Sequence, residues 1–111
     1  MITTHVLDVS LGKPARGVPI TLEISDGSGW RVLGQGKTDD DGRLRTLLQP
    51  GTPLAVTTYR LRFDTKHYFD DLGVQGFYPL VEVVFAVRDP GGHYHVPLLL
   101  SPFGYSTYRG S

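Results

Sequence analysis

Residues 18–25 run Val18-Pro19-Ile20-Thr21-Leu22-Glu23-Ile24-Ser25, with Val18, Ile20, Leu22 and Ile24 alternating with Pro19, Thr21 and Glu23. A period of two is the mark of a strand with one face in a core. The same alternation recurs further on. Tyr59, Leu61 and Phe63 alternate with Arg60, Arg62 and Asp64, and Val81, Val83, Phe85 and Val87 with Glu82, Val84, Ala86 and Arg88. Working outward from these runs, further strands are predicted at 3–9, 30–38, 43–48, 93–100 and 105–109. Gly12-Lys13-Pro14, Asp26-Gly27-Ser28-Gly29, Asp39-Asp40-Asp41-Gly42 and Gln49-Pro50-Gly51-Thr52-Pro53 supply turns between them. A helix is predicted over 65–72, with Asp64 or Thr65 as N-cap and Gly73 as its stop. About eight short strands and one short helix predict an all-β fold, an antiparallel β-sandwich.

The chain has 111 residues, enough for one domain spanning 1–111 with its own core. It contains no Cys, which removes disulfides, thiolate chemistry and cysteine metal sites. Eleven basic residues balance eleven acidic ones. A neutral chain lacks the electrostatic footprint of a nucleic-acid or anionic-membrane partner. No run approaches the roughly 18 apolar residues that span a bilayer. The opening Met1-Ile2-Thr3-Thr4 passes directly into strand-like sequence, so a cytoplasmic protein is expected.

Alternation also says which side chains face outward. With Tyr94, Val96, Leu98 and Leu100 in the core, His93, His95, Pro97 and Leu99 face out. Val6 inward turns His5, Leu7 and Val9 outward, and Tyr105 and Thr107 inward turn Ser106, Tyr108 and Gly110 outward. Three strands thereby display His5, Leu7, His95, Leu99 and Tyr108 on one exterior face. Apolar groups there call for a cover, either a partner subunit or a ligand. His93-Tyr94-His95 has a metal-compatible spacing, with His5 as a third imidazole, but no carboxylate or thiolate motif accompanies it. His5 and Asp8 lie on opposite faces, and no Gly-x-Ser-x-Gly elbow is present, so a Ser-His-Asp triad is not supported. Arg43, directly after the acidic turn, either balances Asp39 to Asp41 or offers its planar donor fork to a flat carbonyl or carboxylate group. His67 falls in the helical segment, away from this face.

Taken together, these residues resemble one family closely. Thr4-His5-Val6-Leu7-Asp8, Gly12-Lys13-Pro14-Ala15 and Lys37-Thr38-Asp39-Asp40-Asp41-Gly42-Arg43 resemble motifs of the 5-hydroxyisourate hydrolases, as does the stretch from His93 to the terminal Tyr108-Arg109-Gly110-Ser111. That ending is the feature separating these enzymes from transthyretin, the carrier with the same fold. The resemblance implies a transthyretin-like sandwich and a homotetramer whose active sites lie where subunits meet. It implies no metal or organic cofactor. It assigns His5, Arg43, His95 and Tyr108 to catalysis, His5, Arg43, Tyr108 and Ser111 to substrate binding, and His93 to a supporting place. The implied reaction opens the cyclic amide of 5-hydroxyisourate by direct water attack. His5 or His95 is the general base, Arg43 holds the polarised heterocycle, and Tyr108 positions it. A transthyretin-like carrier of small hydrophobic ligands is the rival reading. It predicts apolar or small residues in place of His5, His95 and Tyr108.

Overall fold

The structure, a computed structural model, describes residues 1–111. Nine strands and one helix follow in order: β1 (Ile2–Asp8), β2 (Lys13–Pro14), β3 (Pro19–Ser25), β4 (Trp30–Lys37), β5 (Arg43–Leu44), β6 (Thr58–Phe63), α1 (Thr65–Asp71), β7 (Val81–Ala86), β8 (Tyr94–Ser101) and β9 (Gly104–Thr107). They form two sheets. One has the order β2-β1-β8-β9, with β5 also on β1, and the other the order β4-β3-β6-β7. A cluster of 22 buried hydrophobic residues lies between them, including Val6, Leu22, Leu61, Phe63, Val81, Leu98 and Leu100. No helix is long and apolar enough to cross a membrane.

The alternating runs became strands for the reason given: each buries one side. Tyr59, Leu61 and Phe63 are at most 1% exposed, while Arg60 and Arg62 between them are half-buried. Glu23 departs from the pattern. It is buried because Arg60 covers it, donating from Nε at 2.8 Å and itself lying over Trp30. Two departures concern the lesser strands. Gly12-Lys13-Pro14 is not only a turn, since Lys13 and Pro14 pair with Asp8 and Leu7. The run after Arg43 pairs for only two residues, His5 with Arg43 and Thr4 with Leu44. All pairings are antiparallel except β1 with β8, which is parallel with Thr3 opposite His95 and His5 opposite Pro97. Neighbouring strands of one direction need a long crossover, and the whole chain between residues 8 and 94 provides it.

Helix α1 starts where expected. The Asp64 side chain accepts from the His67 N–H at 3.0 Å, and Gly73, at φ +67°, ends the last turn. His67 stays on its surface, 3.4 Å from Asp71. Tyr68, one residue on, ties the helix to the end of β1 by donating to Asp8 at 2.7 Å. Burial penalises the Asp8 charge, but hydrogen bonds from Ser10, Tyr68 and Leu11 prevail and hold its carboxyl below the usual range.

Candidate active site

The parallel β1–β8 pairing decides which side chains meet. Residues directly opposite share a face, so Thr3 lies beside His95, and His5 is the diagonal neighbour of His95. On the other edge of β1, Arg43 is opposite His5. Beyond β8, the tail returns to pair Gly110 with His95, and the Gly110 N–H donates to the His95 carbonyl at 2.8 Å. The result is a patch with Arg43, His5, Thr3, His95 and Gly110 on four adjacent segments.

Its geometry is close. The His5 and His95 ring centroids are 6.4 Å apart, as are those of His93 and His95. The Thr3 hydroxyl lies 2.8 Å from Nδ1 of His95 and 3.1 Å from Nε2 of His93. A cleft of about 160 Å³ opens here, lined by Thr3, Arg43, Arg45, His93, His95 and Ser111 among others. Thr3 and Arg45 are members that the sequence reading passed over. Thr3 carried a signal, since alternation on β1 puts it on the same face as His5.

Arg43 owes its aim to the acidic turn. Asp39 Oδ1 accepts from the N–H groups of Asp41 and Arg43, both at 2.9 Å, and Gly42 takes φ +74° against the Val6 carbonyl. The Arg43 N–H, with Asp41's, holds the Asp39 carboxyl below its usual range. One oxygen of the Asp39 carboxylate is held by the backbone, and Asp40 pairs with Arg16 at 2.9 Å. Arg43 forms no ion pair with the acidic cluster, although its charge helps to lower Asp39. Its guanidinium makes no ion pair or hydrogen bond within the chain.

Both imidazoles are half-buried. Burial first, and then the Arg43 guanidinium, hold His5 and His95 below the ordinary imidazole value. For His95, the neighbouring His5 and His93 add to the effect. Both rings are thus neutral, and able to accept a proton, at neutral pH. No three His, Asp or Glu side chains are placed to hold a metal ion.

Four of the sequence-predicted residues meet here: His5, Arg43, His95 and Ser111. Tyr108 does not join them within one chain. It falls beyond the end of β9, between the pairings of Thr107 with Leu98 and Gly110 with His95. It is 57% exposed and borders an apolar groove with Val83, Phe85, Tyr94, Val96 and Thr107. The outward apolar pair Leu7 and Leu99, opposite one another, is half-buried.

Known proteins of this shape include both 5-hydroxyisourate hydrolases and transthyretins. The chain superposes on the 5-hydroxyisourate hydrolase of Klebsiella pneumoniae with a TM-score of 0.86 and 34% identity, covering 99% of this chain and 98% of the other. Sea bream transthyretin in complex with thyroxine gives a TM-score of 0.89, also at 34% identity, covering 98% and 93%. Among curated sequences, a probable 5-hydroxyisourate hydrolase of Caenorhabditis elegans is 50% identical over 110 residues, covering 99% of this chain and 81% of that protein. Residues 2–110 match the model of the HIUase/Transthyretin family, and the chain belongs to that family.

Proposed function

We propose that the chain hydrolyses 5-hydroxyisourate, opening its cyclic amide to give 2-oxo-4-hydroxy-4-carboxy-5-ureidoimidazoline. The observation that carries this is the pair of half-buried neutral imidazoles beside an Arg43 guanidinium with no partner in the chain. A carrier of hydrophobic ligands has no use for that combination. The 50% identity to a probable 5-hydroxyisourate hydrolase points the same way.

Amide hydrolysis requires a water stripped of a proton, charge stabilisation on the carbonyl oxygen and a proton for the leaving nitrogen. His95 is the base. It lines the cleft, its Nδ1 is engaged by Thr3, and its Nε2 has no partner in the chain. Arg43 faces the carbonyl oxygen and holds the flat heterocycle. His5, opposite Arg43 and 6.4 Å from His95 between ring centroids, helps orient the substrate. Ser111 offers its hydroxyl at the rim.

At about 160 Å³ the cleft is smaller than the roughly 300–1,000 Å³ of usual ligand pockets. This supports a site completed by another copy of the chain in a homotetramer. Tyr108, exposed and outside the cleft, is then available to a neighbour's site. The decisive experiment generates 5-hydroxyisourate with urate oxidase and follows its ultraviolet absorbance. The protein should speed the decay by orders of magnitude. A decay at the spontaneous rate would end the proposal.

A further inference from the structure

We propose that Thr3 and His93 form a proton relay behind His95, which rests on His95 being the general base. The placement is specific. Thr3 is opposite His95 in the parallel register and only 5% exposed, and its one hydroxyl sits between Nδ1 of His95 at 2.8 Å and Nε2 of His93 at 3.1 Å. His93 is exposed to water.

The relay requires one direction of hydrogen bonding along the chain. A hydroxyl has one proton to donate. If His95 is to accept a proton at Nε2, its Nδ1 carries hydrogen and donates to Thr3 Oγ1. The Thr3 proton then goes to Nε2 of His93. This arrangement gives both contacts a hydrogen, leaves the His95 Nε2 lone pair free and aims the Thr3 proton at His93, as a relay requires; two ring N–H groups donating to the two lone pairs of Thr3 Oγ1 would not.

The relay also answers an electrostatic difficulty. An imidazolium at His95 would form among Arg43, Arg45, His5 and His93, the basic groups that surround it, all of which disfavour a positive ring. In the relay, a water O–H bond breaks as its proton goes to Nε2 of His95, and the hydroxide adds to the amide carbon. The Nδ1 proton moves to Thr3 Oγ1, and the Thr3 proton moves to Nε2 of His93. The ring of His95 stays neutral, and the positive charge appears on His93, the more exposed of the two rings. His95 now carries its proton on Nε2, the atom nearest the reacting centre, and donates it to the departing nitrogen without turning over. As it does so, Nδ1 recovers its proton from Thr3, and Thr3 recovers its own from His93. The cycle closes with every proton accounted for.

Three substitutions in the full-length protein test this, together with His95→Ala. Thr3→Val keeps the branched shape and removes the hydroxyl. Thr3→Ser restores it. His93→Gln keeps an oxygen to accept from Thr3 but cannot take the proton. Turnover is read from 5-hydroxyisourate decay, folding from thermal unfolding, and the His95 tautomer from nitrogen-15 NMR of labelled imidazoles. Expected are a kcat loss of at least about tenfold in Thr3→Val and in His93→Gln with KM little changed, and recovery in Thr3→Ser. The His95 tautomer should become mixed in Thr3→Val and stay Nδ1–H in His93→Gln. Normal kcat in His93→Gln would overturn the relay and leave Thr3 a positioning residue. Should Thr3→Val be normal while His95→Ala is inactive, the relay falls and the base assignment stands. An active His95→Ala removes both. If Thr3→Val does not fold, His93→Gln and Thr3→Ser still decide.

Discussion

Gly110→Ala changes one methyl group at the surface, yet it should cost about a hundredfold in turnover. Gly110 lies against the imidazole of His95. A Cβ built on it would stand 2.6 Å from Cδ2 of His95 and 3.2 Å from Cγ of Pro97. Carbon atoms rest at roughly 3.5–4.0 Å, so the ring must retreat by about 1 Å. Pro97 blocks one line of retreat, and the Thr3 hydroxyl on Nδ1 restrains another. The backbone of Gly110 is not at positive φ, so the contact is the whole effect. A misplacement of about 1 Å costs on the order of 10²-fold, equivalent to about 2.7 kcal/mol in the barrier. If the tail yields instead, the Gly110–His95 hydrogen bond breaks and Ser111 leaves the cleft, with the same sign. The assay is kcat from 5-hydroxyisourate decay, beside thermal unfolding, which should move little because Gly110 lies outside the core. Turnover within about twofold of the parent, with the tail still paired by hydrogen exchange, would refute the idea that the tail fixes the imidazole.

Other perturbations follow from the same geometry. Arg43→Gln should lower kcat by about 10²–10³-fold, the range for losing a preorganised donor to an oxyanion. It should also move the acid limb of the pH–rate profile to higher pH, because the guanidinium helps hold His5 and His95 low; an unmoved limb would show that Arg43 does not act on the imidazoles. In the parent, activity should persist below pH 6.5 and fall only as the depressed imidazoles protonate. The same depression makes the folded state bind fewer protons than the unfolded chain, so stability should fall as pH drops through 6.5 toward the lower folded value. A urea titration at several pH values measures that. Gly42→Ala places a Cβ against the Val6 carbonyl at a left-handed φ and should disturb Arg43, reducing both activity and stability. Tyr68→Phe removes a charge-assisted hydrogen bond to buried Asp8 and should cost about 1.5–3 kcal/mol in denaturant unfolding, with kcat unchanged.

Much of the fold was legible because burial writes itself as alternation. Val96, Leu98 and Leu100 are in the core, and His93, His95 and Leu99 are not, as the period of two requires; Pro97, read as outward with them, is buried instead, with Gly110 of the tail against it. The helix was legible from Asp64 and Gly73, whose cap chemistry is local. The parallel pairing of β1 with β8 was not. Nothing in residues 2–8 or 94–101 encodes which distant strand they join, since pairing depends on the closure of the whole sandwich. Alternation set Thr3 on the face of His5, but its place opposite His95, which gives it a role, comes only from that pairing. His5 and His95 could be grouped because their faces follow from alternation, whereas Arg43 joined them only through the family resemblance. Alternation put Tyr108 on that face as well, and there the structure departs from it. Tyr108 sits just past the last ladder pair of an edge strand, where alternation no longer determines contact.

The scaffold does not choose between enzyme and carrier. A hydrolase and a thyroxine-bound transthyretin both superpose on this chain, at the same 34% identity. What separates the two uses must therefore lie in residues that the core does not need. His5, Arg43 and His95 meet that condition: none belongs to the buried cluster between the sheets, and each projects from a backbone held by its neighbours. Val6, Leu44 and Val96, buried on the opposite face of the same strands, carry the folding energy. Because adjacent residues in a strand face opposite ways, the chemistry of one face can change without disturbing the packing of the other. Function in this fold is then set by which side chains the outward alternation presents around β1 and β8, and by the tail that braces them.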